Sequence, residues 1–110
     1  MSDQAAQIMP VVVVLAAEID VINSDEAYQQ LTAAVAQGAP AVIADMTSTS
    51  FCDSSGVHAI MHAHEQAAAQ GVVLRVAVPP NGSVRRVLQL TGAVKVLQVY
   101  STVQEAMRPA

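Results

Sequence analysis

Apolar residues follow two periods along this chain, and the two alternate. Val11–Leu15 is a β-branched run, the pattern of a strand buried on both faces. Further on, Ala27, Leu31, Ala34 and Val35 recur at helical spacing. Asn23, with Glu26 three residues later, makes a capping box that opens this helix, and Gly38 and Pro40 stop it. Ala41–Met46 reads as the next strand and Thr47–Ser50 as a polar loop. A second helix runs from about Ser55 to Gln70, with Gly71 as its stop signal. Val72–Val78 is a third buried strand, followed by the loop Pro79-Pro80-Asn81-Gly82. Ser83 can cap a short helix through Leu90, which Gly92 ends. Val96–Tyr100 is a last strand, and Ser101 with Gln104 forms a capping box for a terminal helix. Residues 5–9 add a short edge strand ahead of Pro10.

Strands alternating with helices predict an α/β fold. The expectation is one domain over residues 1–110, with a mostly parallel sheet of four to five strands and about four helices packed on it.

Composition narrows what such a domain can do. Hydrophobic residues make up 53% of the chain but aromatics only 3%, so Val, Ala, Leu, Ile and Met must build the core. Little is left for stacking on nucleotide bases. The net charge is −4, and its distribution is lopsided. Residues 1–74 sum to −8, whereas residues 75–110 sum to +4 and hold all five basic side chains. An anionic face would meet a basic or polar partner and repel nucleic acid.

The N-terminus has no Lys or Arg to form a signal-peptide start, and the apolar run Ile8–Ala17 is too short to span a bilayer. The single Cys52 cannot form an internal disulfide. A reducing cytoplasm, with no membrane insertion, is the expected location.

Residues 51–56, Phe51-Cys52-Asp53-Ser54-Ser55-Gly56, place two hydroxyls where a loop gives way to a helix. The first turn of a helix has unpartnered N–H groups and a partial positive charge, so a phosphate is at home there. The hexamer is therefore a candidate switch, with a serine neutral in one state and strongly anionic in the other. On local grounds alone, capping is the more usual job of serines placed like Ser54 and Ser55. Asp53 can serve the helix dipole or a partner, and Asp20 a loop cap or a partner.

Other constellations are weaker. His58 and His62 are four apart on one helical face with Glu65 three residues on, but no Cys pair or distant His completes a metal site. His64 falls on the apolar stripe with Val57, Ile60 and Met61, which predicts partial burial. His58 lies one turn past Ser55, where it can contact a partner or, when protonated, a phosphate. Arg85 and Arg86 read as a solvated face. Cys52-Asp53-Ser54-Ser55 has the spacing of a monothiol redox motif but lacks the surrounding pattern. No G-x-S-x-G elbow supports a serine hydrolase. A receiver-like phospho-aspartate site would need clustered carboxylates and a Lys at strand ends. Asp45 is available, but Lys95 precedes the last strand. Neither a catalytic residue nor a cofactor is expected.

Three blocks of this chain resemble the STAS domain, and specifically the bacterial anti-sigma factor antagonists. Leu15-Ala16-Ala17-Glu18-Ile19-Asp20 is similar to the family's L-x-G-E-[LI]-D, with Ala17 where Gly is usual. Asp45–Val57 carries the central D-S-S-G element, and Val84–Gly92 is similar to a third block ending in [TS]-G. The resemblance implies a non-enzymatic regulator that binds an anti-sigma factor with serine protein kinase activity, so that a sigma factor is freed and transcription proceeds. It implies that the kinase phosphorylates the serine before the Gly, here Ser55, which inactivates the antagonist, and that a protein phosphatase reverses this. The expected partner surface is Asp20, Asn23, Asp53, Ser54, Ser55, Gly56 and His58. The alternative within the fold is a free-standing STAS regulatory subunit of a transporter or stress-signalling complex.

Overall fold

The β-branched segments form the centre of the molecule. The computed structural model describes residues 9–108. The elements are β1 (Val11–Val14), β2 (Glu18–Ile19), α1 (Ser24–Val35), β3 (Ala41–Asp45), β4 (Phe51–Cys52), α2 (Ser54–Ala69), β5 (Val73–Ala77), α3 (Ser83–Leu90), a 3-10 turn (Ala93–Lys95), β6 (Gln98–Tyr100) and α4 (Val103–Met107). The expected strand over residues 5–9 lies outside the described residues, apart from Met9, which is in a bend.

Four strands form a wholly parallel sheet in the order β1-β3-β5-β6. Side chains alternate across it. Val42, Ala44, Leu74 and Val76 face the main core, which α1, α2 and α3 cover with Leu31, Val35, Val57, Ile60 and Leu88. Ile43 and Ala77 point the other way, onto Ala106 of α4. Arg75, on that same face, donates from Nη1 to the Ala106 carbonyl at 3.1 Å and ties α4 to the sheet.

The expectation that the first strand is buried on both faces is corrected. Val11 and Val13 pack on the core, whereas Val12 and Val14 are exposed. β1 ends the sheet among the described strands, and the five-residue α4 packs chiefly on β3, β5 and β6.

The short strands β2 and β4 form a second parallel pair, in which Glu18 faces Phe51 and Ile19 faces Cys52. Neither appears in the sequence pattern, because two residues are too few to show a period.

Three expected caps are displaced. Asn23 does sit before α1, but its side chain makes no cap bond to that helix. Its Oδ1 accepts the Asp20 N–H at 2.9 Å and its Nδ2 donates to the Glu18 carbonyl at 2.8 Å, so the amide staples the β2–α1 loop instead. At α3 the cap position belongs to Gly82, and the Ser83 hydroxyl donates to the Ser50 carbonyl at 3.0 Å. At α4 the box is shifted by one residue. Thr102 accepts the Glu105 N–H at 3.0 Å, while the Glu105 carboxylate accepts the Ser101 N–H at 3.1 Å. Arg85 is likewise no free surface charge, since its Nη2 donates to the Val78 carbonyl at 2.8 Å. No helix among the described residues is long and apolar enough to cross a membrane.

Candidate functional site

The D-S-S-G segment is positioned from below by the β2–β4 pair. The Asp53 N–H donates to the Ile19 carbonyl at 3.1 Å, which aligns the end of β4 with the end of β2. The chain then enters α2 at Ser54, with Asp53 as the N-cap in extended conformation. One carboxylate oxygen of Asp53 accepts from two backbone N–H groups, Ser55 at 2.9 Å and Gly56 at 3.2 Å. The cap is therefore Asp53, and both serine hydroxyls are relieved of that task.

Gly56 is buried, and its role is close approach. A Cβ at this position would lie 2.6 Å from Cys52 Sγ and 2.8 Å from Ile19 Cγ2. Only a bare backbone lets the first turn of α2 rest on the β2–β4 pair, and Gly56 offers a partner no side chain. Ala17 fits without strain, because no non-glycine among the described residues has a positive φ.

The two serines differ. Ser54 is exposed, while Ser55 is half-buried on the side of α2 that faces α1. There it lines an open groove of about 290 Å³ with Ser24, Asp25 and Tyr28 of α1 and His58, Ala59 and His62 of α2. The Tyr28 and His62 rings meet edge to face, with centroids 6.5 Å apart. Behind His58 and His62 lies a second hollow of about 340 Å³, bounded by Val57, Met61 and Glu65 of α2 and by Thr91, Gly92, Ala93 and Val96. The two imidazoles thus stand on a ridge between two hollows.

Asp20 flanks the site on the β2–α1 loop, where its carboxylate accepts the Ile22 N–H at 2.9 Å. That turn pushes Val21 and Ile22 into solvent, 73% and 88% exposed. Phe51 on β4 is 48% exposed. Ser24, Asp25, Tyr28 and His62 line the groove with Ser55 and lie outside the D-S-S-G motif, whereas Phe51 opens the hexamer that contains it. The α1 residues required knowing that α1 packs beside α2.

Several other chemistries find no support in the geometry. Cys52 is buried, and its thiol is pushed up to about 11, mainly by burial and further by the Asp53 charge. That is opposite in sense to a reactive thiolate at a helix start. Among the described residues no three His, Cys, Asp or Glu side chains gather as a metal site. His64 is half-buried, as its place on the apolar stripe predicts. The Asp45 carboxylate is engaged by the Thr47 N–H at 2.9 Å and hydroxyl at 2.6 Å, in the turn after β3.

Known structures share this architecture. An anti-sigma factor antagonist from Mycobacterium paratuberculosis matches with a TM-score of 0.76 at 28% identity, over 88% of this chain and 84% of that one. The Bacillus cell fate determinant SpoIIAA, in its phosphorylated form, matches with a TM-score of 0.62 at 25% identity, over 89% and 87%. A Thermotoga maritima protein at 20% identity shares the fold over 97% of this chain and 96% of its own, with a TM-score of 0.72. No curated protein sequence matches the chain. The family model of the STAS domain matches residues 3–106, nearly the whole length. With its parallel sheet, its β2–β4 pair and its D-S-S-G helix start, the chain belongs to the STAS domain family.

Proposed function

We propose that this chain is an anti-sigma factor antagonist of the cytoplasm that docks on an anti-sigma factor with serine kinase activity and is switched off by phosphorylation of Ser55. The observation that carries this reading is the setting of Ser55. Its residue is half-buried but opens on a groove, at the start of a helix capped by another side chain. A hydroxyl free of capping is available for modification. The likeness to SpoIIAA, whose structure is of a phosphorylated form, supports phosphorylation as the switch.

The docking surface would centre on Ser54, Ser55 and His58, with Asp20 and Asp53 at its acidic rim and Val21, Ile22 and Phe51 as apolar contacts. Asn23 acts through the loop it staples, and Gly56 through the packing it permits. A basic rim with an apolar centre is the complementary partner chemistry.

The switch is electrostatic. A phosphoryl group adds about −1.5 to −2 charges at neutral pH, in a neighbourhood already holding Asp25 and Asp53. Desolvating that charge against a partner costs several kcal/mol unless it is paired. Since about 1.4 kcal/mol is a factor of ten in affinity, one phosphate suffices to release the partner without refolding anything. A phosphatase restores the docking state. The chain itself supplies no catalytic group in this scheme.

The test is incubation with candidate anti-sigma kinases and ATP, followed by mass mapping of the modified residue. The expected product carries one phosphate, on Ser55. Modification confined to Ser54, or none with any kinase that binds the chain, would overturn the reading.

A further inference from the structure

We infer that His58 is the positioning residue for a phosphoryl group on Ser55, holding it in the groove between α1 and α2 by a charge-assisted hydrogen bond. The inference rests on the modification of Ser55 proposed above and adds what receives the phosphate once it is there.

A phosphate at a helix start is ordinarily gripped by the first-turn N–H groups. Here the N–H groups of Ser55 and Gly56 already donate to the Asp53 carboxylate. The grip is taken by an anion that also repels the newcomer. Of that turn only the Ser54 N–H is left, so the phosphoryl group needs further donors.

Ser55 faces the groove, and the groove offers hydroxyls from Ser24 and Tyr28 and imidazoles from His58 and His62. Among the described residues that line it, only the imidazoles can carry positive charge. The basic side chains of the chain all lie at or after Arg75, and none lines this groove. Arg75 and Arg85 are moreover engaged by backbone carbonyls.

Between the two imidazoles, position decides. His58 is three residues after Ser55, on the neighbouring turn of the same face, whereas His62 is seven residues away. His62 is also placed against the Tyr28 ring and stands three residues before Glu65. His58 is exposed and free to turn toward the modified serine.

The other charged groups at this point are carboxylates: Asp25 from α1 and Asp53 at the cap. They repel the phosphate dianion, which needs both a donor and a countercharge. An imidazolium N–H of His58 donating to a phosphate oxygen meets both demands. The coupling runs in both directions, so a neighbouring cation makes the phosphate give up its second proton at lower pH.

Phosphorus NMR reads this directly. Phosphoserine is installed at position 55 during synthesis, so that no kinase is needed and a failure here is distinct from a failure of the kinase reaction above. The second ionisation of phosphoserine ordinarily falls near about pH 6. The expected midpoint in the unaltered chain lies about 0.2–0.4 of a unit below that of His58→Gln, the size of an exposed pair one turn apart. His58→Lys, which keeps a cation, is expected to hold the lower midpoint. Equal midpoints in the unaltered chain and His58→Gln would overturn the inference, as would a shift that follows His62→Gln instead.

Discussion

The carboxylate of Asp53 holds the backbone N–H of Ser55 at 2.9 Å, so the residue beside the serines does the capping that the serines themselves could have done. The two roles, cap and switch, are thereby separated onto adjacent side chains. Asp53→Ala removes the acceptor for two N–H groups and is expected to lower stability by about 1 kcal/mol, the usual cost of a lost cap. Asp53→Asn keeps an oxygen in place and should cost less. Urea denaturation of the two variants distinguishes them, and equal losses would show that the charge rather than the oxygen matters.

Gly56→Ala forces a methyl group against Cys52 Sγ and Ile19 Cγ2. Neither neighbour is a long flexible chain, so the first turn of α2 must lift. The expected loss is about 1–3 kcal/mol, typical of overpacking. Cys52→Ala in the same chain removes the nearer obstacle and should recover part of it. A double-mutant cycle measures the recovery, and strict additivity would place the strain elsewhere.

The Cys52 thiol is held at about 11 against an ordinary 9.0, so the folded state prefers the neutral form. The native chain binds this proton more tightly than the unfolded one does. Stability from this source is complete below pH 9.0 and is lost as pH rises toward about 11. Denaturation midpoints should fall over that window in the unaltered chain and less so in Cys52→Ala. At pH 7.5 the thiol should resist alkylation until the chain is unfolded.

Ile22 is 88% exposed and touches no core cluster, so Ile22→Asp should change stability by less than about 0.5 kcal/mol. On the proposed docking surface the same change buries a carboxylate against the partner. Binding to the anti-sigma factor is expected to weaken tenfold or more, about 1.4 kcal/mol. Calorimetric titration checks this, and unchanged affinity would move the interface away from the β2–α1 loop.

Ser55→Asp mimics the anionic state and should weaken that binding, whereas Ser55→Ala should bind and never be switched off. Affinities of both variants for the cognate kinase, measured side by side, decide the point. Identical values would remove the electrostatic account.

The alternation of β-branched runs with helical stripes was legible because each depends on near neighbours. Ala27, Leu31, Ala34 and Val35 are buried as their spacing implies, and the parallel sheet follows from strands joined through helices. The D-S-S-G segment was legible as well, since four adjacent residues carry it. The caps were read less well. Asn23, Ser83 and Ser101 each had the right chemistry, but competing partners far along the chain or next door decided where each hydrogen bond went. The one-sided exposure of β1 depended on what lies over the sheet, which no local pattern reports.

Local patterning, then, specified the elements and marked Ser55, because periodicity and helix-start chemistry act over a few residues. Tertiary packing alone set α1 beside α2, put Ser55 in a groove shared with Ser24 of α1 and made Gly56 indispensable against Ile19. Those relations join residues more than thirty positions apart in sequence, such as Ile19 and Gly56, and distance in space is set by how layers stack rather than by any neighbour along the chain.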